Sequence, residues 1–249
     1  MDQRTVLITG SSRGLGAHAA LRFAEEGYNV VVNYARSEAE AAAWAARIRA
    51  AVPGADPLVC QADVADRGQV QAMFDAVQRR FGGCDVLINM AGVNQDGPFL
   101  SMGDEDWRLV LDTILTGAFL CSQEFARRYQ GDCGQIVNIG APTAFQGRDN
   151  GVNYCTARAG IMTFTRCLAL ELAPRIQVNT VTPGFIGTDE VMERYALRDQ
   201  ANYDKVVSTI PDGRLGTPED IFRALRFLVG DASYVTGQNI TVDGGLLRL

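Results

Sequence analysis

Tyr154 and Arg158 stand four residues apart in Asn153-Tyr154-Cys155-Thr156-Ala157-Arg158, the spacing that puts two side chains on one face of a helix. A phenol can give or take a proton, and a cation beside it favours the phenolate. The demand on such a pair is large. A phenol titrates near pH ~10, so a base working near neutrality needs a shift of about 3 units, or ~4 kcal/mol. The cation here is a planar fork rather than a compact ammonium, and the two bind partners differently. Lys205 is the only lysine among the 23 Lys and Arg of the chain, so composition alone offers one reason for arginine at 158.

A second chemistry is written in Thr9-Gly10-Ser11-Ser12-Arg13-Gly14-Leu15-Gly16. Glycines at 10, 14 and 16 allow a tight turn, a close backbone approach to a pyrophosphate, and helix N-terminal amides aimed at it. Such a pattern is common by chance and gains weight only from its setting between a strand and a helix. An NAD site of this kind wants a carboxylate at the end of the second strand. Val32 is followed instead by Asn33-Tyr34-Ala35-Arg36, with no acid before Glu38. Arg36 and Arg13 could pair a 2′-phosphate, which favours NADP(H) over NAD(H). The alternatives are two solvated arginines, or a vestigial and empty pocket.

The elements that must position these residues read as alternating strands and helices. Val6-Leu7-Ile8 is a strand, and Gly14 to Glu25 a helix ending at Gly27. Val30-Val31-Val32 follows. Ser37-Glu38-Ala39-Glu40 predicts a capping box for a helix to about Ala51, stopped by Pro53-Gly54. Leu58-Val59-Cys60 is a third strand, and Asp66 caps a helix to Phe81. Val86-Leu87-Ile88 and Ile136-Val137-Asn138-Ile139 are strands four and five, separated by a long helix from about Glu105 to Tyr129. A helix from about Val152 to Leu172 ends at Pro174, and Val178-Asn179-Thr180-Val181 is strand six. Pro218 opens another helix, and Ile240-Thr241-Val242 is the last strand. Seven strands alternating with helices predict a single α/β domain over 1–249: a Rossmann-like, doubly wound parallel sheet with helices on both faces.

Composition removes several classes of function. A net charge of −6 gives no footprint for nucleic acid or an anionic membrane. No apolar run approaches the roughly 18 residues of a bilayer span, and Met1-Asp2-Gln3-Arg4 leads straight into a strand rather than a signal peptide. Six cysteines form no CxxC pair, and with one histidine, His18, no metal site is expected. The expected setting is cytoplasmic and reducing.

Taken together, these stretches resemble the short-chain dehydrogenase/reductase family, and most of all its 3-oxoacyl-(acyl carrier protein) reductases and hydroxyacyl-thioester dehydrogenases. The resemblance implies that Asp63-Val64 clamps the adenine, and that Asn89-Met90-Ala91-Gly92 corresponds to an Asn-Asn-Ala-Gly stretch with one substitution. It places Pro183-Gly184 and Thr188 at the carboxamide and Val242-Asp243-Gly244-Gly245 at the end of the fold. It also implies that Tyr154 is the proton-transfer residue and that Arg158 stands where the family has lysine. Ala141 stands for the family's serine, and Ile114, in Ile114-Leu115-Thr116-Gly117, for its asparagine. Thr143, two residues beyond Ala141, is the nearest alternative hydroxyl in sequence.

With these catalytic positions changed and the rest of the pattern kept, the resemblance points first to a non-catalytic subunit of a heteromeric oxidoreductase. The expected partner is a catalytically intact paralogue in a heterotetramer, with a hydroxyacyl or oxoacyl thioester as the small-molecule substrate. Hydroxyacyl-thioester dehydrogenases of aromatic pathways such as that of benzylsuccinate follow this plan. Two other readings stay open: an active NADP(H)-dependent reductase with altered catalytic residues, and a nucleotide-binding sensor.

Overall fold

Short runs of β-branched and aliphatic residues that are buried on both faces pair best in a parallel sheet covered by helices. The computed structural model, which describes residues 3–247, shows that arrangement. The strands are β1 (Thr5–Ile8), β2 (Asn29–Tyr34), β3 (Leu58–Gln61), β4 (Val86–Asn89), β5 (Gly134–Ile139), β6 (Ile176–Pro183) and β7 (Asn239–Val242). All pair in parallel in the order β3-β2-β1-β4-β5-β6-β7. The order reverses between β1 and β4, where a doubly wound sheet opens a crevice at its strand C-termini.

The alternation of side chains along β1 sends Val6 and Ile8 to one face and Leu7 to the other. Val6 and Ile8 lie in the core covered by α1 (Gly14–Glu25), α2 (Glu38–Ala51) and α10 (Pro218–Gly230). Leu7 lies in the core covered by α3 (Arg67–Phe81), α5 (Gly117–Arg128) and α7 (Val152–Leu172). His18 and Arg22 of α1 both reach Glu219 of α10, at 3.2 and 3.0 Å, which gives the helix-face histidine a structural partner. A smaller apolar cluster joins Val110 of α4 (Asp104–Leu111), Ile114 and Ala118 to Ala157 and Ile161 of α7.

Two expectations change. The helix expected from about Glu105 to Tyr129 is a rod from Asp104 to Arg128 broken by a π-turn at Asp112–Thr116. At 25 residues, with a mean hydropathy of 1.2 over its most apolar window, the rod is long and apolar enough to cross a membrane by length and composition alone; half of that window is buried against the rest of the protein. The capping box at Ser37 does not form. Ser37 has φ −95° and ψ 64°, outside the extended conformation a capping hydroxyl needs, and makes no side-chain cap bond. The box appears instead at Thr217 and Asp220, ahead of α10. Asp66 caps α3 as expected, accepting from Gln69 N at 3.0 Å. Met1 and Asp2, read as leading into β1, lie outside the described residues.

Candidate functional site

The glycine loop is fixed from below by a buried asparagine. Asn33, at the end of β2, accepts from Gly10 N at 2.9 Å and donates to Ala62 O at 3.0 Å, while its backbone N–H donates to Ser11 Oγ at 3.0 Å. Thr9 Oγ1 accepts from Met90 N and Ala91 N, both at 3.0 Å, and so ties the loop to the segment after β4. Gly10 has φ +63°, and a Cβ there would stand 2.8 Å from Ala91 Cα. Gly16 is packed just as closely, its Cβ position 2.9 Å from Gly10 O. Ser12 is buried at the turn, and Gly14 and Leu15 open α1. The loop therefore has the turn and close backbone approach that a pyrophosphate cradle needs. Arg13 at its rim and Arg36 beyond β2 are both exposed. Asp63, half-buried, accepts from Ala65 N at 3.0 Å, and Val64 is buried behind it.

Across the switch point the strand ends carry different groups. Asn89 donates to Ser122 Oγ at 3.0 Å and to Asn138 Oδ1 at 2.8 Å. Asn138 donates to Thr165 Oγ1 at 2.8 Å, and Thr165 meets Thr180 at 2.8 Å. This buried polar ladder crosses β4, β5, α7 and β6, and of its members only Asn89 was picked out from the sequence.

The structure brings Tyr154, Arg158, Ile114 and Gly92 together. Arg158 is only 6 % exposed. Its Nη1 donates to Ile139 O at 2.6 Å, and its Cζ lies 5.1 Å from the centroid of the Tyr154 ring. Nη2 lies beneath Gly92, 2.5 Å from where a Cβ would be, with Ile114 beside it. The guanidinium thus lies against Gly92, with Nη1 engaged by the backbone at Ile139. Its Nε is buried without a partner. Ile114 sits in the π-turn, buried at 2 % exposure, and Ala141 is buried after β5. Thr143, in the short α6 (Thr143–Gln146), has a buried hydroxyl with no hydrogen-bond partner. At the end of β6, Gly184 packs on Asp243 after Pro183. Thr188 caps α8 (Asp189–Arg194), its hydroxyl accepting from Val191 N at 3.4 Å.

Arg148 also lies over the Tyr154 ring, its Cζ 4.5 Å from the ring centroid. Arg148 is bonded to Asn94 and Asp96, loop residues to which the sequence gave no role. No periodicity or motif marks this contact. Among the described residues no group of three His, Cys, Asp or Glu is placed to hold a metal ion.

The profile of the enoyl-(acyl carrier protein) reductase family matches residues 10–247. A 3-oxoacyl-[acyl-carrier-protein] reductase of Synechocystis is 39 % identical over 251 residues, covering 99 % of this chain and 98 % of the relative. A reductase of the same name from Staphylococcus aureus is 40 % identical over 246 residues, covering 98 % of each. Among solved structures, a short-chain dehydrogenase/reductase from Brucella melitensis superposes with a TM-score of 0.91 at 28 % identity, over 100 % of this chain and 98 % of that one.

Proposed function

The chain belongs to the short-chain dehydrogenase/reductase family, and we propose that it serves there as a non-catalytic subunit of an NAD(P)-dependent oxidoreductase acting on a hydroxyacyl or oxoacyl thioester. The observation that carries this reading is Arg158, buried under Gly92 and bonded to Ile139 O, with Ile114 against it and Ala141 nearby in the chain after β5. A proton route from Tyr154 needs polar groups at these places, and they are aliphatic or turned to the backbone. The thioester class rests on the names of the relatives, both 3-oxoacyl-[acyl-carrier-protein] reductases.

A nicotinamide nucleotide supplies and accepts the hydride in this chemistry. In this chain Gly10, Ser12, Gly14 and Gly16 would hold its pyrophosphate, with Asp63 and Val64 at the adenine and Asn89, Ala91 and Gly92 beside the second half. Arg13 and Arg36 would favour the 2′-phosphate of NADP(H). The site can also stand empty without loss to a subunit needed only for its fold and surface.

The expected partner is a catalytically intact paralogue in a heterotetramer, in a cytoplasmic setting. An apolar groove between the rod and α7, lined by Leu115, Phe119, Gly160, Phe164 and Cys167, offers a surface for it. Native mass spectrometry of the complex drawn from its host should show two copies of this chain with two of a paralogue carrying Ser, Tyr and Lys. A homotetramer with full turnover and no second chain would overturn the reading. The orphaned hydroxyl of Thr143 favours one competitor, an active reductase in which that hydroxyl replaces the missing serine. In that case the purified chain turns over oxoacyl thioester and Thr143→Val abolishes the turnover.

A further inference from the structure

Among the described residues Arg158 is the one arginine or lysine that is buried; every other arginine is at least partly exposed. The single lysine, Lys205, is exposed on α9 (Gln200–Val207). Burying a cation is costly unless an anion and hydrogen-bond acceptors come with it. Arg158 has neither in full. It pairs with no carboxylate among the described residues, and Nη1, donating to Ile139 O at 2.6 Å, makes its one hydrogen bond. The acids bonded around Arg148 are engaged elsewhere. Asp96 accepts from Arg148 at 2.6 Å and from Arg194 at 3.2 Å, and Glu190 accepts from Asn94 at 3.2 Å.

The donors left over share one edge of the guanidinium. Nε is buried without a partner, and Nη2 makes no hydrogen bond to a described residue. In the planar fork Nε and Nη2 point the same way, with the spacing that takes both oxygens of a carboxylate. Gly92, itself exposed, stands beside this edge. A Cβ there would lie 2.5 Å from Nη2 and 3.6 Å from Cζ, so any larger residue would press on the fork. Ile114 Cγ1, 3.8 Å from the same point, and the Tyr154 ring, 5.1 Å from Cζ, are its apolar surroundings. A charge-assisted hydrogen bond is stronger in such a setting than in water.

We propose that Arg158 is a carboxylate receptor: the crevice of this chain takes a small organic acid, or an acyl thioester whose chain ends in a carboxylate, on the Nε and Nη2 edge. A lysine at 158 would offer a point charge and no fork, so arginine there changes what can be bound. Arg148, over the same ring, adds positive charge that it shares with Asp96. This goes beyond the subunit reading, since binding requires no turnover. Only the thioester form of the ligand rests on that reading.

Calorimetry on the purified full-length chain compares butanoate with butanamide, which has nearly the same shape and no charge. The acid should bind about ten- to a hundredfold more tightly, the difference that a charge-assisted bond to one fork makes. Arg158→Met should level the two ligands, and Arg158→Lys should keep part of the preference. Arg49→Met, which removes a surface ion pair of α2 to Asp56, should leave it unchanged. A second pair of ligands, thioesters whose acyl chains end in carboxylate or in methyl, tells the sources apart. A preference for the carboxylate thioester assigns the edge to the acyl chain, and a preference seen with the free acid alone assigns it to a free acid. Wild-type protein that binds butanoate no better than butanamide overturns the proposal whatever the variants do. So does a preference that survives Arg158→Met, or inorganic phosphate that binds as tightly as butanoate with the same dependence on Arg158.

Discussion

The two halves of the sheet are built on one plan and differ in how their strand ends are satisfied. In the first half, β1 to β3, the buried polar groups around the glycine loop pair with one another: Asn33 with Gly10, Ser11 and Ala62, and Ser11 Oγ with Ile8 O at 2.7 Å. In the second half, β4 to β6, the same kind of ladder runs through Asn89, Asn138 and Thr165, yet several buried atoms go unpaired, two of them on the arginines at the Tyr154 ring. Asn89 Oδ1, Thr143 Oγ1, Arg148 Nε and Arg158 Nε are all buried without a hydrogen-bond partner, and each belongs to this half. A buried polar atom left unpaired costs about 1–3 kcal/mol, so such atoms collect where something other than stability set the residue. The difference teaches that the fold does not need polar groups at every position near the site: Ile114 and Ala141 pack as ordinary core residues.

The largest expected effect lies in the second half. If the proposed non-catalytic reading holds, the triple change Ala141→Ser, Ile114→Asn, Arg158→Lys should raise turnover of a 3-oxoacyl thioester by at least about a hundredfold, since one added donor alone is worth about 10²–10³. Steady-state kinetics on the purified chain checks it. A wild-type rate of about 1–10³ s⁻¹, the ordinary enzyme range, would erase the contrast between the halves.

A change in the first half should instead break the fold. Gly10→Val places a branched side chain at φ +63° with its Cβ 2.8 Å from Ala91 Cα. Left-handed backbone strain and overpacking together should cost about 2–5 kcal/mol. Denaturant unfolding measures that loss directly. A loss under 1 kcal/mol would mean that the loop and the segment after β4 are not packed as described.

How much of this was legible follows from what each feature depends on. Runs of three or four mostly aliphatic or β-branched residues marked every strand, because burial on both faces of the central strands leaves little other pattern for them. The helices Gly14–Glu25 and Val152–Leu172 were legible, the second with approximate bounds, since glycine and proline punctuate both. The π-turn was not legible. Just after it Gly117 packs on Val64, where a Cβ would be 2.7 Å away, a contact between segments far apart in the chain. The Ser37 box failed because a Ser-x-x-Glu pattern states composition and not the backbone angles that let the hydroxyl turn back. The box at Thr217 has aspartate rather than glutamate at its third position and was passed over, though Pro218 had flagged the helix. At the site, the types of Tyr154, Arg158, Ala141 and Ile114 were readable one by one. Their surroundings were not: Arg158 meets Ile139 O and Gly92, neither adjacent in sequence. Arg148 and Asp96 lie 52 residues apart, and nothing local announces that they meet.

The smallest expected effect sharpens the claim that the first-half face is fully satisfied. Helix α10 packs on α1 over that face, and its N-terminus is closed by Thr217 and Asp220. Thr217 Oγ1 accepts from Asp220 N at 3.2 Å, and Asp220 Oδ2 accepts from Thr217 N at 2.8 Å and from Arg214 Nη1 at 2.9 Å. The Arg214 bond first, and then the Thr217 amide, hold the Asp220 carboxyl well below the usual carboxylate range. A depressed carboxyl stabilises the fold wherever it is ionised in the folded and unfolded chain alike, above about pH 4, and that stability is lost as pH falls toward the lower folded value. Asp220→Ala should therefore cost about 0.5–2 kcal/mol at neutral pH, the range of a helix cap. The gap between wild type and variant should be flat from about pH 5 to 8 and close below about pH 4. Urea melts across that range decide it, and a gap that widens on acidification would show that Asp220 is not held as an anion by Arg214 and Thr217.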